Sequence, residues 1–417
     1  MKFTELDLPA EVLQGIALVG FTDLTPVQEE SIPHVLAGRD MAAQAQTGTG
    51  KTAAFLIALY TRLLRNPVPT SHNPRALIMA PTRELVVQIV EDAKGLGAAC
   101  PFKVQAIFGG LDYDKQRTAL REGVDIIVAT PGRLIDYAKQ KVFSFHQIEA
   151  LVIDEADRMF DMGFIKDLRY ILRKLPPFEK RQTMLFSATL SPRVMELAYE
   201  FMNLAEKVRI EPEQVTAERV EQILYHASRR EKFPLLLGLM RKEEKADRVL
   251  IFVNTKREAE HLAERLQTNE FKAAVISGDI PQNKRMRILR DFKEGKLQFL
   301  VATDVASRGI HVDAVTHVIN YDLPQDAEDY VHRIGRTARA GALGKAISFA
   351  DEDLVFYLPE IEEFIGRKIP SAFPEEDDFC RDYKRSAPRR KAPVPERIPP
   401  SRRPARPPRR GDSKPKR

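Results

Sequence analysis

Short apolar runs recur along the chain with helix-like stretches between them. Ala76–Ala80, Asp125–Ala129, Ala150–Asp154 and Met184–Phe186 read as strands buried on both faces, because apolar residues fill them without alternating with polar ones. The pattern restarts with Arg248–Val253, Ala273–Ile276, Leu297–Val301, Val315–Ile319 and Ala346–Phe349. Between the two sets, residues 209–218 carry Pro and Glu and lack periodicity, which suits a linker. The alternation predicts an α/β chain with two domains in tandem, each a mostly parallel sheet flanked by helices. We place an opening segment at 1–30, a first domain at 31–208, the linker at 209–218, a second domain at 219–370 and a tail at 371–417.

Charge sharpens the last boundary. The chain of 417 residues has a net charge of +6. Residues 381–417 hold 15 Lys/Arg against 3 Asp/Glu, so the remainder is mildly acidic. The tail also holds nine of the 28 prolines and few aliphatic residues, a composition expected to stay disordered and to attract a polyanion such as nucleic acid, the alternative being a tail that only solubilises the chain. Two cysteines, Cys100 and Cys380, exclude a disulfide framework or a zinc cluster. The start, Met1-Lys2-Phe3-Thr4-Glu5, lacks a signal pattern, and no apolar run approaches membrane-spanning length. A soluble, cytoplasmic monomer with no membrane partner is expected.

In parallel sheets ligands gather past the carboxyl ends of the strands, and the polar clusters fall there. Ala45-Gln46-Thr47-Gly48-Thr49-Gly50-Lys51-Thr52 lies between the run Asp40–Gln44 and the helical run Ala53–Leu64. That is the context of a phosphate-binding loop: backbone N–H groups and the helix end meet phosphate, Lys51 reaches its β and γ groups, and Thr52 faces Mg²⁺. Ala45 stands where the generic pattern has Gly. Upstream, Thr25 and Pro26 open a helix, and beside such a loop Phe21 and Gln28 are the groups that would read an adenine. Asp154-Glu155-Ala156-Asp157 ends an apolar strand; Asp154 would hold the metal, partly through water, and Glu155 would orient and deprotonate the attacking water. Ser187-Ala188-Thr189 adds two hydroxyls. Pro81-Thr82-Arg83, Gly109-Gly110 and Thr130-Pro131-Gly132-Arg133 have the groups that contact phosphodiesters. Each is also the chemistry of a helix cap or turn, and their recurrence at equivalent strand ends favours nucleic acid.

Together the phosphate loop, Asp-Glu-Ala-Asp, Ser-Ala-Thr and the Gln28 segment resemble the DEAD-box ATP-dependent RNA helicases of superfamily 2. The resemblance covers about residues 3–370. It implies two tandem RecA-like domains, with ATP and Mg²⁺ bound between them and RNA held without sequence readout. Gln282 and Arg285 match its RNA-backbone element, and Thr303-Asp304 with Ser307-Arg308-Gly309 its fifth motif, where Thr303 meets RNA and Gly309 ATP. His332-Arg333-Ile334-Gly335-Arg336-Thr337-Ala338-Arg339 matches the sixth, which makes Arg336 and Arg339 arginine fingers worth about 10³–10⁵ in rate. Ser187, Thr189 and His332 would couple the γ-phosphate to domain closure. Ala338 replaces a usual Gly, Ser277 a His, and His311 an acid that would bond the ATP ribose at a cost of about 0.5–1.5 kcal/mol.

Arg308-Gly309-Ile310-His311-Val312, Ala314–Val318, Tyr113–Gln116, Ala129–Lys139, Gly163–Asp167 and the basic tail resemble the RhlB-type bacterial members. That resemblance implies work in RNA degradation and, as a partner class, an endoribonuclease. The expected activity is RNA-stimulated ATP hydrolysis coupled to local, non-processive unwinding of short RNA duplexes or RNP remodelling. A DNA helicase or translocase is one alternative; Gln28, Asp157 in place of a His and the lack of a DNA-reading domain argue against it. A non-enzymatic RNA clamp is the other, and would need a broken catalytic set, whereas Lys51, Asp154, Glu155, Arg336 and Arg339 are all present.

Overall fold

The computed structural model describes residues 1–45, 48–68, 72–210, 220–243, 246–307, 315–337 and 344–385. Gln46, Thr47, the span 211–218 of the linker, Gly309, His311, Ala338, Arg339 and residues 386–417 of the tail lie outside them.

The first half forms strands β1 (Met41–Gln44), β2 (Ala76–Met79), β3 (Val104–Ile107), β4 (Ile126–Ala129), β5 (Ala150–Ile153), β6 (Gln182–Ser187) and β7 (Glu206–Arg209). They join as one seven-stranded sheet in the order β3-β4-β2-β5-β6-β1-β7. The second half repeats the plan with β8 (Val220–His226), β9 (Val249–Phe252), β10 (Ala273–Ile276), β11 (Phe299–Ala302), β12 (His317–Asn320), β13 (Gly344–Ala350) and β14 (Ser371–Ala372), in the order β10-β11-β9-β12-β13-β8-β14. Every strand pairing described is parallel. Substituting each strand of the first half by its counterpart reproduces the second order position for position.

Unbroken apolar runs mark the inner strands because both faces are covered. β2 sends Ala76 and Ile78 to the core on one face and Leu77 and Met79 to the other; β9 does the same with Val249 and Ile251 against Leu250 and Phe252. The strands that the apolar pattern does not reveal are β3, β7, β8 and β14, at or next to the sheet edges. Their sequences, such as Glu206-Lys207-Val208-Arg209 and Val104-Gln105-Ala106-Ile107, mix polar or charged residues with apolar ones because one side meets water. Among the described residues no helix is long and apolar enough to cross a membrane.

The boundary at 370 shifts. Ser371–Ala372 pairs with β8, and the chain then runs across the helix Lys232–Lys242. Cys380 N donates to the Pro234 carbonyl at 2.9 Å, Tyr383 meets Phe233 edge-on at 5.5 Å, and Lys384 N donates to Asn269 Oδ1 at 2.8 Å. Gly238 is required beneath this strap: a Cβ there would fall 1.9 Å from the Asp378 carbonyl oxygen. Phe379, Cys380 and Tyr383 anchor the segment, so residues 371–385 pack on the second domain.

Candidate functional site

The carboxyl ends of both sheets face one seam. On the first side β1 runs into Ala45, and Gly48, Thr49 and Gly50 lead into the helix Lys51–Arg65. Gly50 has φ 95°, and a Cβ on it would come within 2.6 Å of Gln28 Nε2. Thr25 caps the helix Pro26–Leu36; Gln28 Oε1 accepts from the Thr25 amide at 2.9 Å, and Gln28 Nε2 donates to the Gly50 carbonyl at 3.1 Å. The amide expected to read a base thus braces the loop. Phe21 is exposed and stacks on Phe3 at 6.5 Å.

Lys51 is buried, and its Nζ has no hydrogen-bond partner. Its nearest anion is Asp154 Oδ1 at 3.9 Å. A buried ammonium with no hydrogen bond, at a helix N-terminus cradled by Gly50, fits a phosphate. Burial pushes the Asp154 carboxyl up to about 6 despite the nearby ammonium. With the half-buried Thr52 it offers one carboxylate and one hydroxyl, a donor set that suits an Mg²⁺ carrying water and phosphate oxygens.

Asp154 Oδ1 accepts from Glu155 N at 2.9 Å, which turns Glu155 into the left-handed region, φ 51°. Both Glu155 carboxylate oxygens are buried without a hydrogen-bond partner. Asp157 ties this turn to the next: its N donates to Ser187 Oγ at 3.1 Å, and its Oδ2 accepts from Ala188 N at 3.0 Å and Thr189 N at 3.1 Å.

The second domain faces these groups with the helix Ala327–Ile334. Arg336 is buried just beyond it, its Nε donating to the His332 carbonyl at 3.1 Å. Burial, aided by Arg158 and Arg336, lowers the His332 imidazole to about 4, so it is neutral at pH 7. Arg333 is fully buried: Nε and Nη2 each donate to an Asp304 oxygen at 2.6 Å, and Nη1 donates to the Asp322 carbonyl at 2.6 Å. It fixes the start of the fifth motif to the sixth.

Further along the seam the proposed RNA residues converge. Arg83 Nη1 donates to Gln282 Oε1 at 3.4 Å, and a Cβ on Gly110 would lie 3.5 Å from Gln282 Cβ. Arg133 sits over Tyr113 at 4.8 Å, beside buried Thr130 and Pro131. Pro81 and Thr82 are buried before the helix Arg83–Leu96, and Thr303 is buried after β11. Arg285 is engaged differently from a free phosphate ligand: its Nε pairs with Glu84 Oε1 at 2.5 Å across the seam, and its Nη2 donates to the Ala306 carbonyl. Gln282 Nε2 donates to the same Glu84 oxygen at 3.0 Å.

Residues 25–197 match the DEAD/DEAH box helicase family, and residues 231–341 match the helicase conserved C-terminal domain. The chain is 52% identical over 389 residues to the ATP-dependent RNA helicase RhlB of Idiomarina loihiensis, covering 93% of this chain and 91% of that one. The chain belongs to the DEAD/DEAH box helicase family. It is also 55% identical over 374 residues to the ATP-dependent RNA helicase RhlB of Xanthomonas axonopodis pv. citri, matching 89% of its own length but spanning only 65% of that relative. Among solved structures, S. cerevisiae Dbp5 bound to RNA and ADP BeF3 is similar with a TM-score of 0.79 at 32% identity, with 89% of this chain and 95% of that one covered.

Three residues shape the site of this DEAD/DEAH box helicase without having drawn a role from its sequence: Glu84, Arg158 and Arg333. Arg333 follows Tyr330 by three positions and so shares the buried face of its helix, and Arg158 follows Glu155 by the same spacing. Glu84 had no local signal, because its partners come from the other domain.

Proposed function

We propose that the chain is an RNA-stimulated ATPase that separates short RNA duplexes locally, without processive travel. The observation that carries this is the buried Lys51 ammonium, without a hydrogen-bond partner, beneath a seam that both domains line. Lys51 and the backbone of residues 45–52 bind the phosphates, Gln28 and Phe21 the base, and Thr52 with Asp154 an Mg²⁺. When bound, the metal neutralises charge on the phosphate oxygens. Glu155 orients water and takes its proton. Arg336 and Arg339 complete the site from the second domain, which makes hydrolysis conditional on closure. Gly309 joins the nucleotide side. Pro81, Thr82, Arg83, Gly110, Thr130, Pro131, Arg133, Gln282, Arg285 and Thr303 hold the RNA backbone, and Ser187, Thr189 and His332 couple the two events.

A strand bent into the closed seam cannot stay paired, so its complement leaves. The name of the relatives and the RNA in the Dbp5 structure support RNA as partner. Work in RNA degradation beside an endoribonuclease, as a monomer in the cytoplasm, is the cellular setting we propose. The test is phosphate release by the full chain with RNA and with matched DNA. RNA should stimulate strongly and DNA weakly, and Glu155→Gln should bind ATP and RNA yet lose turnover. Equal stimulation by DNA would transfer the chain to the DNA-helicase alternative. Absence of RNA-dependent release would favour the clamp.

A further inference from the structure

Glu155 must satisfy two demands that oppose each other in a buried place. A base needs open lone pairs, yet a carboxylate away from water needs a counter-charge. Its two oxygens have no hydrogen-bond partner, and Arg158 Nη1 lies 3.3 Å from Oε2 without forming a hydrogen bond. Both side chains are nine-tenths or more buried. The guanidinium is therefore placed to act on the carboxylate by charge while leaving its lone pairs open.

Arg158 does not belong to the first domain alone. It lines a cavity of about 10 Å³ with Phe252, Asp304, Asp329, His332, Arg333 and Arg336, all from the second domain. That space holds one water at most. Six of the seven residues around that space come from the second domain, so it is enclosed only when the domains meet. Asp329 is one of two acids in these walls; the other, Asp304, is already bonded by Arg333.

We propose that Arg158 is a positioning residue: it steers the Glu155 carboxylate by charge, and closure of the second domain around Asp329 holds it there. This rests on Glu155 being the base. RNA would then accelerate hydrolysis by two routes, delivering the arginine fingers and aiming the base from behind.

The test uses the full chain with saturating RNA. Arg158→Ala should lower kcat about 10–100-fold, as expected for a misaimed reacting group. Its Kd for a non-hydrolysable ATP analogue without RNA should stay within about twofold, since Arg158 is not placed on the nucleotide. Arg158→Lys, which keeps the charge, should recover most of kcat. Asp329→Ala should also lower kcat and should add little to Arg158→Ala in the double variant. An unchanged kcat in Arg158→Ala overturns the proposal, as does an equal loss of analogue affinity. A Lys variant as poor as the Ala variant removes steering by charge, and additive losses remove the link to Asp329. Glu155→Gln separates the two claims. If it keeps turnover, the assignment of Glu155 fails; if it is inactive while Arg158→Ala is unaffected, only the role of Arg158 fails.

Discussion

Two lysines occupy the same place in the two sheets and meet opposite fates. Lys51 opens the helix after β1, and Lys232 opens the helix after β8, the strand in the corresponding position. In the first domain the loop before the lysine holds Gly48 and Gly50, and Nζ stands 3.9 Å from Asp154 with no hydrogen bond. In the second the loop is Ala227-Ser228-Arg229-Arg230-Glu231, without glycine. There Nζ binds Asp322 Oδ1 at 3.0 Å and Asp351 Oδ2 at 2.5 Å, and lies 5.4 Å from the Tyr321 ring centroid. Asp322 and Asp351 follow β12 and β13, the counterparts of β5 and β6. One domain leaves the cation open for a phosphate; the other closes the same geometry with its own carboxylates. Identical topology therefore gives a binding site or a structural clasp, depending on whether the partner is internal.

The largest effect that could break this comparison is on turnover. Lys51→Ala should reduce RNA-stimulated hydrolysis by about 10²–10³, comparable with removing one transition-state donor. Its thermal midpoint should move by less than about 4 °C, because the ammonium makes no hydrogen bond in the ligand-free fold. A large loss of stability would make Lys51 a clasp like its counterpart. Lys232→Met should do the reverse, costing about 3–5 kcal/mol by leaving two carboxylates uncompensated. Urea unfolding would read that loss, and unchanged stability would remove the contrast.

A smaller effect separates the acids by pH. Burial acts to raise Asp351, but Lys232 and two backbone N–H groups outweigh it, so its pKa lies below the usual carboxylate value. Its ionised form therefore stabilises the fold above that ordinary value, and the contribution is lost as pH falls through the depressed pKa. Asp154 is held up to about 6, so the ligand-free fold binds that proton more tightly than the unfolded chain and loses stability as pH rises from about 4 to 6. Asp154→Asn should flatten that decline. Asp351→Asn should lower stability at pH 7, and its difference from the parent should shrink in strong acid. Melts recorded with both variants from pH 7 down into strong acid, below the ordinary carboxylate value, would show whether the slopes have opposite signs.

Much of this was legible in the chain. Inner strands announce themselves because a residue covered on both faces must be apolar, so Ala150–Ile153 and Phe299–Ala302 could be placed from their letters. Gly50-Lys51-Thr52 and Asp154-Glu155 were readable because their chemistry is carried by neighbours in sequence. Contacts made between the halves left no such trace. Glu84 reads as an ordinary acid in the first turn of a helix until Gln282 and Arg285 arrive from the other domain. The strap at 371–385 was hidden for another reason: its anchors are a few aromatic and sulfur side chains scattered among charges.

The left-handed backbone at Glu155 has a consequence for how such a chain ages under selection. Holding a non-glycine residue there costs on the order of 1–3 kcal/mol, a strain that Gly would relieve. Directed evolution that rewards heat resistance alone would be drawn toward Gly at 155, and the survivors would be sturdier proteins that no longer turn over. The same pull acts on any lineage in which hydrolysis has ceased to matter, so this position is among the first where disuse would be written.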